Sequence, residues 1–238
     1  MKSPRMPTRA VVAPVVRPPL AVAPTMRRLQ AAIASMALPA IEKIAVELQG
    51  DAFHVLISTL LSAQTKDAVT LDASTRLFAV ADTPEAMARL TPARIEKLIY
   101  PVSFYRTKAV HVRDCARQLV RDFAGRVPET MEELLTLPGV GRKTANLTLI
   151  VACRSRDNIC VDTHVHRIAN RFSWVRTRTP EQTEQALYQV VPRRWWADVN
   201  LFLVTWGQHV CKPVYPLCRR CVLEPRCPKI GVLQESRA

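Results

Sequence analysis

The side chains of this chain that could do chemistry are one lysine, one aspartate and four cysteines, each marked out by its spacing. Lys143 lies in Leu134-Leu135-Thr136-Leu137-Pro138-Gly139-Val140-Gly141-Arg142-Lys143-Thr144-Ala145. A helix over about 129–136 ends there, a Pro-Gly-Val-Gly turn follows, and a second helix starts near Arg142. Two glycines in so tight a turn allow positive φ and a close approach of ligand to backbone. The exposed N–H groups and the positive end of the second helix then form an anion site suited to a DNA phosphate. This predicts a helix-hairpin-helix over about 137–145, with Gly139, Gly141 and Arg142 on the DNA side. For Lys143 the helix dipole, Arg142 and partial desolvation all favour the free amine, the form a nucleophile needs. A lysine that only contacts a phosphate fits the same position, and the stretch alone does not separate the two roles.

Asp162 follows Lys143 by 19 residues and precedes a helix with Val165, Ile168, Ala169 and Phe172 on its apolar side. An aspartate there caps the helix. The same carboxylate beside a reacting sugar could stabilise an oxocarbenium ion or accept a proton from the nucleophile. Cys211, Cys218, Cys221 and Cys227 stand in a Cys-x6-Cys-x2-Cys-x5-Cys loop broken by Pro213, Pro216 and Pro225. So proline-rich a loop needs a metal to fold it. Four thiolates suit a [4Fe–4S] cluster or an all-cysteine zinc site; a single Cys-x2-Cys pair, where zinc loops usually have two, favours the cluster. Residues 211–229 carry Lys212, Arg219, Arg220, Arg226 and Lys229 against Glu224 alone, the balance of a phosphate-contacting surface. Cys115, Cys153 and Cys160 read as buried thiols.

The elements that must position these groups read as all-α, about ten short helices with no hairpin of alternating strands. Apolar steps of three and four join Ile33, Met36, Ala37, Ala40, Ile41 and Ile44 into one helix face, and Phe53, Leu56, Ile57, Leu60 and Leu61 into another. A third runs Val110, Ala116, Leu119, Val120 and Phe123. Thr83-Pro84, Thr91-Pro92 and Thr179-Pro180 each open a helix with an N-cap and a proline at the first helical position. Residues 1–24, dense in proline and basic side chains, read as a disordered basic arm. The 238 residues hold 34 Lys+Arg against 20 Asp+Glu, a net charge of +14, which points to a polyanionic partner. No apolar run is long enough to span a membrane, and neither a signal peptide nor an even disulfide spacing is present. An intracellular, reducing compartment is expected, the cytoplasm or nucleoid for a bacterial source.

Over residues 27–232 the chain resembles the endonuclease III family of DNA glycosylases. The resemblance rests on Leu61-Ser62-Ala63-Gln64-Thr65-Lys66-Asp67, the Leu137–Ala145 hairpin, Val161-Asp162-Thr163-His164 and the four-cysteine spacing. It implies two helical lobes with DNA in the cleft between them. One is a six-helix bundle over 46–156; the other joins 25–45 to 157–238 and carries the cluster loop at 211–227. It implies base-excision repair of double-stranded DNA bearing oxidised pyrimidines or abasic sites, by a monomer. Lys143 would form a Schiff base at C1′, Asp162 would assist, and β-elimination would cut the strand. Gln64 would fill the space vacated by the extruded base, Phe104 would stand at the wedge position, and His164 would face DNA. Phe104 departs from the aliphatic wedge of bacterial members. Two other readings are a monofunctional adenine-mismatch glycosylase and a non-catalytic DNA-binding module with a structural metal. Lys143, the lack of a glutamate between Asp51 and Pro84, and the short tail after Cys227 count against the first. The pairing of Lys143 with Asp162 counts against the second.

Overall fold

The computed structural model describes residues 17–47 and 51–233. Among them are twelve α-helices, two single 3-10 turns and no strand, as the all-α reading requires. The basic arm falls mostly outside the described residues. Its last eight residues are ordered, however: α1 (Val22–Ile33) already begins at Val22, with Pro24 in the first turn, where a missing N–H costs no helical hydrogen bond.

The apolar face read as one helix from Ile33 to Ile44 is two. Ile33 is the last residue of α1, residues 34–39 are non-helical, and α2 (Ala40–Glu47) starts immediately after Pro39. Next come α3 (Ala52–Ser62), α4 (Asp67–Phe78), α5 (Pro84–Arg89), α6 (Pro92–Ile99), α7 (Tyr105–Phe123), α8 (Met131–Leu134) and α9 (Arg142–Val151). The three Thr-Pro signatures cap as the residue types dictate: Thr83, Thr91 and Thr179 accept from the N–H groups of Ala86, Arg94 and Gln182. Each such cap contributes about 1 kcal/mol.

Helices α3 to α9 enclose one core, with Leu56, Ile57, Leu61, Leu77, Ile95 and Leu119 buried at its centre. The face of α7 differs from the periodicity reading. Lys108, Ala109, Val112, Cys115, Ala116 and Leu119 point inward, while Val110 and Val120 are exposed. A buried lysine on that face shifts the apolar stripe away from the one that hydrophobicity alone picks out.

A second core forms from both ends of the chain. In it α1 packs with α10 (Thr163–Arg171), α11 (Pro180–Val190) and α12 (Asp198–His209) around Met26, Leu29, Ile168, Phe172 and Trp206. Arg17 Nη1 donates to the carbonyls of Glu224 (2.7 Å) and Cys227 (3.1 Å), and Trp174 Nε1 to that of Leu20 (2.9 Å). Helix α2, read with this second group, packs instead on α3 and α4. Its Ile41 and Ile44 meet Val55, Leu147 and Cys160 in a small third core. Lys143 and Asp162 converge where α2, α3, α9 and α10 meet, and the four cysteines lie apart, at the second core. Among the described residues no helix is long and apolar enough to cross a membrane.

Candidate active site and cysteine loop

The hairpin runs from α8 to α9. Gly139 has φ +78°, and a Cβ there would stand 2.7 Å from His111 Nδ1, so both conformation and space exclude a side chain. Gly141 differs from its reading as a second positive-φ glycine: its φ is −101°, an extended conformation open to any residue. A Cβ on Gly141 would meet nothing within 4 Å, so this glycine leaves open space above the start of α9. No side chain caps α9, and its first-turn N–H groups face that space.

Lys143, in that first turn, projects across to the end of α3, where its Nζ donates to Ser62 Oγ (3.1 Å). Ser62 Oγ in turn donates to the Thr59 carbonyl (2.7 Å). Among the described residues no carboxylate lies within ion-pairing distance of Lys143. Asp162 caps α10, its Oδ1 accepting from Val165 N–H (2.8 Å). Lys143 and Asp162 line one open cleft together with Ser62, Gln64, His164 and Glu42. The cleft holds about 1850 Å³ of empty space including its mouth, ample for an extruded nucleotide.

Arg142 does not stand free on the hairpin. Its Nη2 reaches Glu184 Oε1 on α11 at 2.5 Å, and its Nε reaches Oε2 at 3.3 Å. The Glu184 carboxylate is only 4% exposed, so the pair ties the bundle to the second core and largely offsets the charge that Arg142 would present to Lys143. His164 packs on α12 at Gly207, where a Cβ would fall 2.4 Å from its Nδ1, and it contacts Arg167 Nη2 at 3.0 Å. Burial pulls its pKa down. Gln64 and Phe104 are exposed and lie on neighbouring turns, each with left-handed φ (54° and 57°).

Two carboxylates in the cleft carry no marking in the sequence reading. Asp67 Oδ2 accepts from Ala40 N–H (2.9 Å) and Gln208 Nε2 (2.9 Å), fastening the starts of α4 and α2 to α12. Glu42 faces Lys143, Asp67 and Asp162; burial, above all, lifts its pKa to about 7, with Asp67 and Asp162 adding and a backbone hydrogen bond and Lys143 opposing. Asp67 belongs to the Leu61–Asp67 stretch and could have been suspected there. Glu42 has no local signal, because its neighbours come from elements distant in sequence.

The four loop cysteines line one small cavity together with Arg171, Leu217 and Pro216. The buried Arg171 guanidinium stands 3.3 Å from Cys211 Sγ and donates to the carbonyls of Lys212 (2.7 Å) and Pro213 (2.8 Å). The buried indole N–H of Trp206 faces Cys221 and finds no nitrogen or oxygen acceptor. No three His, Cys, Asp or Glu side chains among the described residues are gathered to hold a single metal ion. Of the other thiols Cys115 and Cys160 are buried and Cys153 half-buried.

A model of the HhH-GPD superfamily of base excision DNA repair proteins matches residues 57–193. The endonuclease III of Thermotoga maritima is 48% identical over 177 residues, covering 74% of this chain and 83% of that protein. The endonuclease III-like protein 1 of Gallus gallus is 43% identical over 178 residues, which is 74% of this chain but 63% of that longer relative. Among solved structures, a non-covalent endonuclease III–DNA complex matches with a TM-score of 0.76 at 28% identity, covering 85% of this chain and 92% of the other.

Proposed function

This chain belongs to the HhH-GPD superfamily of base excision DNA repair proteins, and from that premise we propose a DNA glycosylase with AP lyase activity whose nucleophile is Lys143. The observation that carries the assignment is the pairing of Lys143 with a hydroxyl. Its Nζ enters the cleft against Ser62 Oγ, and among the described residues no carboxylate lies at ion-pairing distance from it. The substrate is double-stranded DNA with an oxidised pyrimidine or an abasic site, extruded into the cleft. Phosphates flanking the lesion sit on the uncapped start of α9, approached over Gly139 and Gly141. Gln64 enters the space left in the duplex and Phe104 stacks beside it, while His164 lines the cleft wall.

The free amine of Lys143 attacks C1′ as the bond from C1′ to the base breaks, and the base leaves with a proton. Asp162 uses Oδ1 to cap α10, and its carboxylate charge stabilises the positive charge growing on the sugar. Ring opening gives the imine between Lys143 and C1′. Loss of a proton from C2′ expels the 3′ phosphate oxygen, and water then releases the lysine. Genomic DNA as substrate places this work inside the cell.

Cys211, Cys218, Cys221 and Cys227 are the residues that would hold a [4Fe–4S] cluster. Their shared cavity, the buried Arg171 beside Cys211 and the Trp206 indole turned toward Cys221 all suit an anionic sulfur-bound group. When bound, it supplies the fold of a loop that presents Arg219, Arg220 and Arg226 to the DNA backbone.

Borohydride trapping on a duplex with one oxidised pyrimidine tests the nucleophile. A covalent adduct with the unaltered protein and none with Lys143→Gln is expected. Base release without any trappable adduct would overturn the lyase assignment, and an adduct that persists in Lys143→Gln would move the nucleophile elsewhere.

A further inference from the structure

The first turn of α7 contains a buried lysine that the chemistry above leaves unused. Lys108 Nζ donates to the carbonyls of Leu61 (2.7 Å) and Ala63 (2.6 Å) and to Thr65 Oγ1 (3.3 Å). All three ammonium donors are thus spent on one short stretch, the end of α3 and the turn that carries Gln64. From the same side, Ser103 Oγ donates to the Gln64 carbonyl (2.7 Å) and Ser103 N–H to Thr65 Oγ1 (3.2 Å). Between Ser103 and Lys108 in the chain lies Phe104, the residue before α7. Five hydrogen bonds therefore join the turn of Gln64 to the turn of Phe104.

Both joined residues are strained. A non-glycine side chain at left-handed φ crowds its own backbone, and glycine would sit there freely. Yet these two positions carry large, outward side chains, Phe104 being 66% exposed. Such a conformation persists only where the surroundings over-determine it. Burial, with the charge of Lys143 behind it, lowers the Lys108 pKa to about 8, and the carbonyls at the negative end of α3 favour keeping the proton.

We propose that Lys108 is a positioning residue that locks the Gln64 and Phe104 turns into one rigid wedge, so that it governs extrusion of the damaged nucleotide rather than bond breaking. The inference rests on the reading of Gln64 and Phe104 as the residues that enter the duplex. Replacing the ammonium by a thioether in Lys108→Met keeps the length and burial of the side chain while removing all three donors.

The test compares two duplexes, one with a paired oxidised pyrimidine and one with a preformed abasic site that requires no base to be extruded. Single-turnover base release from the first is expected to fall tenfold or more in Lys108→Met, while nicking of the second changes less than threefold. The fluorescence rise of 2-aminopurine placed beside the lesion, which reports opening without chemistry, should fall in parallel. Equal losses on both duplexes, or no loss on either, would overturn the proposal. If Lys108→Met does not fold, Ser103→Ala removes the bond to the Gln64 carbonyl from a half-buried position and should show the same selectivity at smaller size. Absence of nicking by the unaltered protein would refute the lyase reading instead, and the 2-aminopurine signal would still decide the role of Lys108.

Discussion

Glu42 is a half-buried carboxyl in the cleft wall without a salt-bridge partner among the described residues, and replacing it by glutamine has a calculable consequence. Its pKa rises from 4.5 to about 7, chiefly through burial. A folded-state value above the unfolded one means that the folded protein holds a proton which the unfolded chain releases as pH passes 4.5. Stability is therefore lost progressively between pH 4.5 and pH 7, and the loss is complete above that range. The difference of 2.5 pKa units, at 1.36 kcal/mol each, is about 3 kcal/mol. Glutamine is nearly isosteric with the protonated acid, so Glu42→Gln should match the unaltered protein near pH 4.5 and exceed it by up to about 3 kcal/mol at pH 8. In thermal unfolding followed by circular dichroism this is a gain of roughly 6–12 °C at pH 8 that vanishes at low pH. A stability difference between the two proteins that does not change with pH, or a loss at pH 8, would refute the assignment of burial as the dominant cause.

Two further outcomes follow from the same geometry. Arg142→Met strands the Glu184 carboxylate in a site where it is 4% exposed. Because Arg142 itself is half in solvent, the expected cost is about 1–3 kcal/mol, and Arg142→Met with Glu184→Gln should recover most of it in urea denaturation. If the four cysteines hold the proposed cluster, an iron chelator should expose their loop, so that trypsin cuts first at Arg219 or Arg220 while the core of α3 to α9 stays intact; equal cleavage rates before and after chelation would show that the loop folds unaided.

The most legible parts of the molecule were those whose causes are local. A threonine followed by proline caps and starts a helix wherever it stands, and Thr83, Thr91 and Thr179 do so. Asp162 announces its cap by preceding an apolar stripe, and Val165, Ile168, Ala169 and Phe172 are buried as that stripe requires. The hairpin around Lys143 is equally local. Periodicity misled where a polar residue belongs to the core, as Lys108 does on α7, and where a stripe runs through a breaker, as at Pro39. Arg142 looked like a free phosphate contact because Glu184, its partner, lies 42 residues away. Glu42 was invisible for the same reason: its perturbed carboxyl is made by side chains from α4, α9 and the start of α10, and no spacing rule links them.

The second core draws on both chain ends, and this sets an order of assembly. Helices α3 to α9 are contiguous in sequence, so their core can close while synthesis continues. Arg17, Leu20 and α1 emerge from the ribosome before α3 to α9 but find their partners after them, since Phe172, Trp174, Glu224 and Cys227 follow more than 150 residues later. The nascent chain therefore carries the apolar face of α1 uncovered until α12 arrives. Arg17 then hydrogen-bonds the backbone of the cysteine loop at Glu224 and Cys227, so that the folding of that loop and the docking of the amino-terminal segment are events at one place.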